Sequence, residues 1–201
     1  MTDRLVHIID DDAAMRDSLM FLLDTAGFRA AASESAQAFL KTVPDATLGC
    51  IVTDIRMPDM TGLELIKTLN AAGHDYPVIV ITGHGDVPLA VEAMKAGVID
   101  FIEKPFDDQV LLDAIGLAFN RRTEQPGSTP ERKAAQARLD ALSPREREVL
   151  GGVVAGKPNK TIAHELGISP RTVEVYRANL MTKMGAASLS ELVRMALIAG
   201  Y

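Results

Sequence analysis

Carboxylates stand where two apolar runs end: Ile8 and Ile9 lead into Asp10, Asp11 and Asp12, and Ile51, Val52 and Thr53 lead into Asp54. Two further runs end in complementary chemistry. Residues 78–81 lead into the hydroxyl of Thr82, and residues 101–103 lead into the ammonium of Lys104, which precedes Pro105. In a doubly wound sheet the carboxyl ends of the central strands form the ligand crevice, so Asp10, Asp11 and Asp54 are expected to converge. Clustered carboxylates repel one another in a partly desolvated site and need either raised pKa values or a cation. Hard oxygen ligands with open positions suit Mg2+, which retains water and bridges to phosphate. A hydroxyl, an ammonium and such a cation around Asp54 would stabilise a phosphoryl group attacked in line by its carboxylate. Taken singly, each residue reads more readily as a helix cap, a solvated charge or an ion-pair partner, but for the set in this strand order capping explains neither Asp54 nor Lys104.

A second constellation lies near the C-terminus. Lys160 to Glu165 makes a short helix with Ile162, Ala163 and Leu166 on its inner face, and Gly167, Ile168 and Ser169 connect it tightly to a longer one. This is helix-turn-helix spacing: a small residue for close helix contact, a glycine in the turn and an apolar plug. In the second helix Val173, Tyr176, Leu180 and Met184 recur at steps of three and four and should face inward. The opposite face carries Arg171, Glu174, Val175, Ala178 and Lys183, with Arg177 and Asn179 at its edges. Slim or hydrogen-bonding side chains toward base edges, with basic residues at the margins for phosphates, suit a recognition helix. The competing account is a solvated amphipathic helix. Glu174 looks adverse on such a face, although Glu can accept from cytosine N4.

The elements that must position these residues follow a βα rhythm. Residues 5–9, 29–32, 50–53, 78–82 and 101–103 read as strands, and helical patterns over 15–23, 63–69, 89–94 and 109–120 follow four of them. Five βα units with a parallel sheet and helices on both faces are the expected fold. From Arg121 to Pro130 charge, glycine and proline replace the periodic apolar residues, which marks a boundary. A helix-friendly stretch follows over 131–142. Beyond it Ser143, Pro144 and Glu146, then Ser169 and Pro170, then Ser188 and Glu191 give helix starts, and Gly156, Gly167, Gly185 and Gly200 give stops. Four short helices are expected there. The reading is therefore a first domain over 1–122, a linker over 123–139, partly helical, and an all-α domain over 140–201.

Composition agrees with that division. The chain has 201 residues, 47% of them hydrophobic, and a net charge of −6. Residues 1–122 carry 10 Lys+Arg against 19 Asp+Glu, whereas 123–201 carry 11 against 8. The basic excess of the second part suits contact with nucleic-acid phosphates. The single Cys50, beside Ile51 and Val52, excludes an internal disulfide and reads as a buried small side chain. No apolar run approaches the ~18 residues of a membrane span and no cleavable leader is visible, so a cytoplasmic location without membrane association is expected. His7, His74, His84 and His164 lack metal-ligand spacing, and no zinc site is expected.

Asp10 and Asp11, Asp54 followed by Met57, Pro58 and Gly62, then Thr82, Phe101, Lys104 and Pro105 resemble the response-regulator receiver family over about residues 3–122. The resemblance implies a flavodoxin-like, doubly wound five-stranded sheet with Asp54 as phosphoacceptor. It also implies Mg2+ held by Asp11, Asp54 and the backbone carbonyl of Arg56, with Asp10 acting mainly through water. Lys104 would bind the phosphoryl group, Thr82 would move toward it and Phe101 would change rotamer. The face built from the fourth helix, fifth strand and fifth helix would respond, and commonly becomes a dimer interface. A cis peptide before Pro105 is implied as well. Phe101 weighed by itself is a core aromatic, and His84 and Arg56 flank the site without a readable direction of effect.

Leu142, Ser143, Arg145, Glu146, Glu148, Val149 and Leu150, then Lys160, Ile162, Ala163 and Leu166, then Thr172, Val173 and residues 183–185 resemble the LuxR-type DNA-binding domain over about 140–201. Carried onto this chain, the resemblance turns Glu174, Val175 and Ala178 toward bases and Lys160, Arg171, Thr172, Arg177 and Lys183 toward phosphates, with the last helix pairing two copies on a two-fold site in double-stranded DNA. The combination resembles the FixJ branch of two-component regulators. That branch implies a sensor histidine kinase of the oxygen-sensing, FixL-like kind, phosphorylation-driven homodimers, RNA polymerase as a partner and activation of nitrogen-fixation genes at low oxygen. Two other readings stay open: a Mg2+-dependent phosphohydrolase with Asp54 as nucleophile, and a DNA-binding protein indifferent to phosphorylation. The sequence after Asp54 offers Ile55 and Arg56 rather than a second Asp as general acid, which weighs against the phosphohydrolase. A regulator rather than an enzyme is the leading expectation.

Overall fold

The structure is a computed structural model that describes residues 5–43, 49–83, 87–121 and 129–201. Its strands are β1 (Leu5–Ile9), β2 (Arg29–Ser33), β3 (Cys50–Asp54), β4 (Val78–Thr82) and β5 (Asp100–Glu103). Its helices are α1 (Ala13–Thr25), α2 (Ala36–Thr42), α3 (Gly62–Ala71), α4 (Val87–Lys95), α5 (Asp108–Arg121), α6 (Thr129–Asp140), α7 (Pro144–Val154), α8 (Asn159–Leu166), α9 (Pro170–Met184) and α10 (Leu189–Ile198). Two compact units result, one holding the five strands with α1, α2, α3 and α5, the other holding α4 together with α6 to α10.

All neighbouring strands of the sheet run parallel in the order β2-β1-β3-β4-β5. The chain moves outward from β1 to β2 and then returns to β3 on the other side of β1. The point of reversal, between the carboxyl ends of β1 and β3, is where an open α/β sheet forms its crevice. Register places Ile9 beside Thr53, Asp54 beside Ile81 and Thr82 beside Glu103. Asp10, Asp54, Thr82 and Lys104 therefore share one edge.

The apolar runs exist because both faces of the sheet are covered. On one face Val6, Ile8, Cys50, Val52, Ile79, Ile81 and Ile102 pack with Leu19 and Leu23 of α1 and with Leu111, Ala114, Ile115 and Ala118 of α5. Burial pushes the Cys50 thiol up to about 12, so it behaves as a small hydrophobe. On the other face the His7 ring lies 5.1 Å from Phe39 of α2 and 6.1 Å from Tyr76. Each fully buried Leu or Ile side chain contributes about 1.5–3 kcal/mol to holding the strand ends in place.

In the helical unit Val149, Leu150 and Val153 of α7, Ile162 and Ala163 of α8, Val173, Leu180 and Met184 of α9, and Leu192, Val193 and Ala196 of α10 are buried. Ser143 and Glu146 form a reciprocal capping box at α7, and Ser169 caps α9 ahead of Pro170. At α10 the box is altered. Ser188 accepts from Glu191 N, but the Glu191 carboxylate reaches back to Ala187 N rather than to Ser188 N. The stretch read as partly helical linker holds α6 from Thr129 onward, and residues 123–128 lie outside the described residues. Among the described residues no helix is long and apolar enough to cross a membrane.

Candidate phosphoacceptor site and DNA-binding face

Asp54 ends β3 with its side chain mostly buried, and the loop that follows is tied back onto it. Its Oδ2 accepts from Arg56 N at 2.8 Å, while Thr53 Oγ1 donates to its carbonyl. Gly62 opens α3 against that carbonyl: a Cβ there would stand 2.4 Å from the Asp54 oxygen, so a side chain would push α3 off the strand. The intervening turn carries Asp59 at φ 66, a left-handed conformation that Asp tolerates better than most residues. Thr61 and Glu64 then start α3 with a capping box.

Lys104 bridges two strand ends. Its Nζ donates to Asp10 Oδ2 and to Asp54 Oδ1, each at 3.0 Å, and its backbone N donates to Thr82 O at 2.8 Å. Burial alone would pull the ammonium's pKa down, but the hydrogen bonds and charges of Asp10 and Asp54 outweigh it and hold the pKa above the ordinary lysine value. The Lys104–Pro105 peptide is cis. Asp10 is anchored separately, with Oδ1 accepting from Asp12 N at 2.9 Å and its carbonyl from Arg16 Nη1 at 2.8 Å. Asp12 caps α1 through Ala14 N.

Convergence is therefore narrower than the sequence suggested. Asp10 and Asp54 meet on one ammonium, whereas Asp11 points its side chain to solvent, and among the described residues no three His, Cys, Asp or Glu side chains gather as a metal site. Lys104 neutralises the pair of carboxylates in the structure. Thr82 is buried beside them on β4, and Phe101 on β5 is half-buried next to Asp100, whose Oδ1 accepts its backbone N–H. Arg56 is exposed, and His84 lies outside the described residues.

On α9, Arg171, Glu174, Val175, Ala178 and Lys183 are exposed, and Lys160 on α8 is exposed as well. Val173, Leu180 and Met184 are fully buried, while Tyr176 and Thr172 are half-buried. Val175, 56% exposed, is an uncovered aliphatic group in the middle of the face, the kind of contact a thymine methyl takes. Two of the basic residues are engaged within the unit. Arg177 Nη1 donates to Asn159 Oδ1 at 2.8 Å, and burial draws its pKa below the ordinary value against the opposing influence of Glu174. Lys183 Nζ donates to Glu146 Oε2 at 2.8 Å. That same oxygen accepts from Ser143 N and Ser143 Oγ, and Lys183 followed by these bonds holds the Glu146 carboxyl down at about 2.

Sequence comparison matches residues 6–116 to the response regulator receiver domain and residues 140–196 to the bacterial regulatory proteins of the luxR family. Transcriptional regulatory protein FixJ of Azorhizobium caulinodans is 58% identical over 195 residues, covering 97% of this chain and 92% of that protein. FixJ of Rhizobium meliloti is 55% identical, covering 100% and 98%. The chain belongs to the FixJ-type two-component response regulators. Among solved structures, full-length FixJ from B. japonicum superposes with a TM-score of 0.57 at 54% identity, over 100% of this chain and 98% of that one. A FixJ-type regulator joins a receiver domain to a LuxR-type DNA-binding domain and regulates transcription, which accounts for both constellations.

Three parts of this FixJ-type molecule carried no signal in the sequence: Arg16 holding the Asp10 carbonyl, the Glu146–Lys183 pair, and Arg138 of α6 reaching the end of α9. The second and third span helices whose approach is unknown before folding, and the first bends α1 back onto the end of β1. Only the capping-box position of Glu146 was visible.

Proposed function

We propose that Asp54 accepts a phosphoryl group from a sensor histidine kinase and that phosphorylation promotes homodimers that bind a two-fold site in double-stranded DNA. The observation that carries the reading is Lys104 Nζ held 3.0 Å from both Asp54 Oδ1 and Asp10 Oδ2 at the crevice edge of the sheet. A carboxylate oxygen of Asp54 attacks the phosphorus of a phosphohistidine; the new O–P bond forms as the N–P bond breaks, and the imidazole leaves and takes up a proton. Lys104 moves its hydrogen bonds from the carboxylates to the phosphoryl oxygens, and Thr82 and Phe101 respond to them. The donor chemistry of Asp10, Asp11, Asp54 and the Arg56 carbonyl fits Mg2+, which would supply charge neutralisation at the phosphoryl oxygens. Asp10 and Asp54 already share one cation in the structure, which supports that fit.

In the DNA complex Glu174, Val175 and Ala178 face bases, and Lys160, Arg171, Thr172, Arg177 and Lys183 face phosphates. Arg177 and Lys183 each retain further N–H donors beside the bonds to Asn159 and Glu146. The working division is a receiver over 1–122, a connection over 123–139 and a DNA-binding domain over 140–201. The 55–58% identity to proteins named FixJ supports control of low-oxygen nitrogen-fixation genes, a FixL-like oxygen-sensing kinase, RNA polymerase as partner and a cytoplasmic site of action. Turnover of phosphomonoesters is not part of this function.

The test is footprinting on a promoter-length duplex with and without acetyl phosphate, for the wild type and Asp54→Asn. Protection should sharpen with the donor in the wild type and stay unchanged in the variant. Equal protection by both proteins in both conditions would sink the reading in favour of a phosphorylation-independent binder. Sustained release of phosphate from phosphomonoesters would point to the hydrolase instead.

A further inference from the structure

Helix α6 precedes the segment matched to the luxR family, which begins at residue 140, yet it is built into the helical unit. Ala135 and Leu139 are buried, Asp140 Oδ1 lies 3.6 Å from Arg147 Nη2 of α7, and Glu131 Oε1 lies 3.7 Å from Arg194 Nη1 of α10. Arg138 makes the decisive contact. Its Nη1 donates to the carbonyl of Met184, the last residue of α9, at 2.7 Å, and lies 3.9 Å from Met195 Sδ of α10.

That carbonyl is one the helix leaves over. At the end of α9, Ala186 N donates to Met181 O and Gly185 N to Thr182 O, so two terminal carbonyls are satisfied from within. Gly185 takes φ +64, and a Cβ placed there would stand 3.3 Å from Arg138 Nη1. The guanidinium is thus seated against bare backbone at the negative end of the helix dipole, where a cation is favoured. The other half of α9 is tied to α8 by Arg177 and Asn159.

We infer that Arg138 is a positioning residue for base reading: it fixes the C-terminal end of α9 against α6 and α10, and so sets how Glu174, Val175 and Ala178 are presented to DNA. The inference rests on α9 being the recognition helix. At about 1.5 Å of rise per residue, a small rotation about the α9 terminus displaces side chains two or three turns away by more than a hydrogen bond tolerates. Arg138 is otherwise exposed, so direct phosphate contact is the competing account, and the two differ in salt dependence.

The test uses the full chain with acetyl phosphate, a duplex that the wild type recovers from a randomised pool, and a scrambled duplex of equal length. Circular dichroism and thermal melts confirm that Arg138→Met and Arg138→Lys are folded at the assay temperature. Arg138→Met should lose roughly tenfold in affinity for the recovered duplex, lose far less on the scrambled one, and keep the wild-type slope of log K against log salt. Arg138→Lys, which retains a cationic donor, should regain part of the loss. A slope lowered by about one with equal losses on both duplexes would make Arg138 a phosphate contact and overturn the inference. Unchanged affinity of the folded variant would reduce Arg138 to a helix cap and overturn it as well. If the wild type recovers no duplex, the recognition-helix reading falls first and this one with it.

Discussion

Lys104 and Lys183 both hold largely buried carboxylates, and they do so in opposite ways. Lys104 stands between Asp10 and Asp54, one oxygen of each at 3.0 Å, at the edge of the sheet where a ligand can enter. Lys183 stands on Glu146, whose Oε2 also takes both donors of Ser143, and whose side chain is only 5% exposed. In the first case one ammonium is shared by two acids that have other uses for it. In the second, one acid is saturated by three donors, which makes it a strut from the start of α7 to the end of α9. A shared cation can be released to a phosphoryl group; a saturated carboxylate has nothing to gain by exchange.

Removing each cation should expose the difference. Lys104→Met strands two mostly buried carboxylates, and the cost should be about 1–3 kcal/mol by urea unfolding at pH 7. The sign with pH follows from the raised Lys104 pKa: its contribution is fully present below the ordinary value of 10.5 and lost as pH rises through the higher folded value. Wild-type stability should therefore fall in that alkaline range by a component absent from the variant. A Lys104→Met protein as stable as the wild type at every pH would show that the bridge does not hold the strand ends.

Glu146→Gln is the matching experiment in the helical unit, with an expected cost of about 1–2 kcal/mol. Because the Glu146 pKa is depressed from 4.5 to about 2, its contribution is present above 4.5 and disappears as pH falls through about 2. Acid titrations of wild type and variant should converge over that window; parallel curves would show that the carboxylate is not held down. Lys183→Met should give the smallest change in DNA binding. The slope of affinity against salt should be smaller by about one, as the loss of a single phosphate contact requires, and a slope within experimental scatter of the wild type would leave Lys183 a strut alone.

Legibility differed between the units for physical reasons. Strands β1, β3 and β4 were plain because a parallel sheet covered on both faces demands largely apolar runs, and the polar residue that ends each run, Asp10, Asp54 or Thr82, announces the crevice. Helix α2 escaped because seven residues, AQAFLKT, with only Ala36 and Phe39 buried, give too short a period to detect. The inward and outward faces of α9 were readable from steps of three and four, and burial of Val173, Leu180 and Met184 agrees. Asp11 shows the limit of the same reasoning: it follows Asp10 directly, but it stands in the bend after β1, exposed where Asp10 is buried.

Spacing along the chain decides which residues share a strand end or a helix face, and local backbone demands place caps and glycine stops, because these depend on neighbours a few residues away. The places of Asp54 and Lys104 at strand ends and the exposed face of α9 followed from such rules. Which partner an ammonium or guanidinium finds does not. Lys104 meets Asp54 across 50 residues, Lys183 meets Glu146 across 37 and Arg138 meets Met184 across 46. Those pairings depend on strand order and on the angles at which helices pack, and these exist only once the apolar faces have closed on one another.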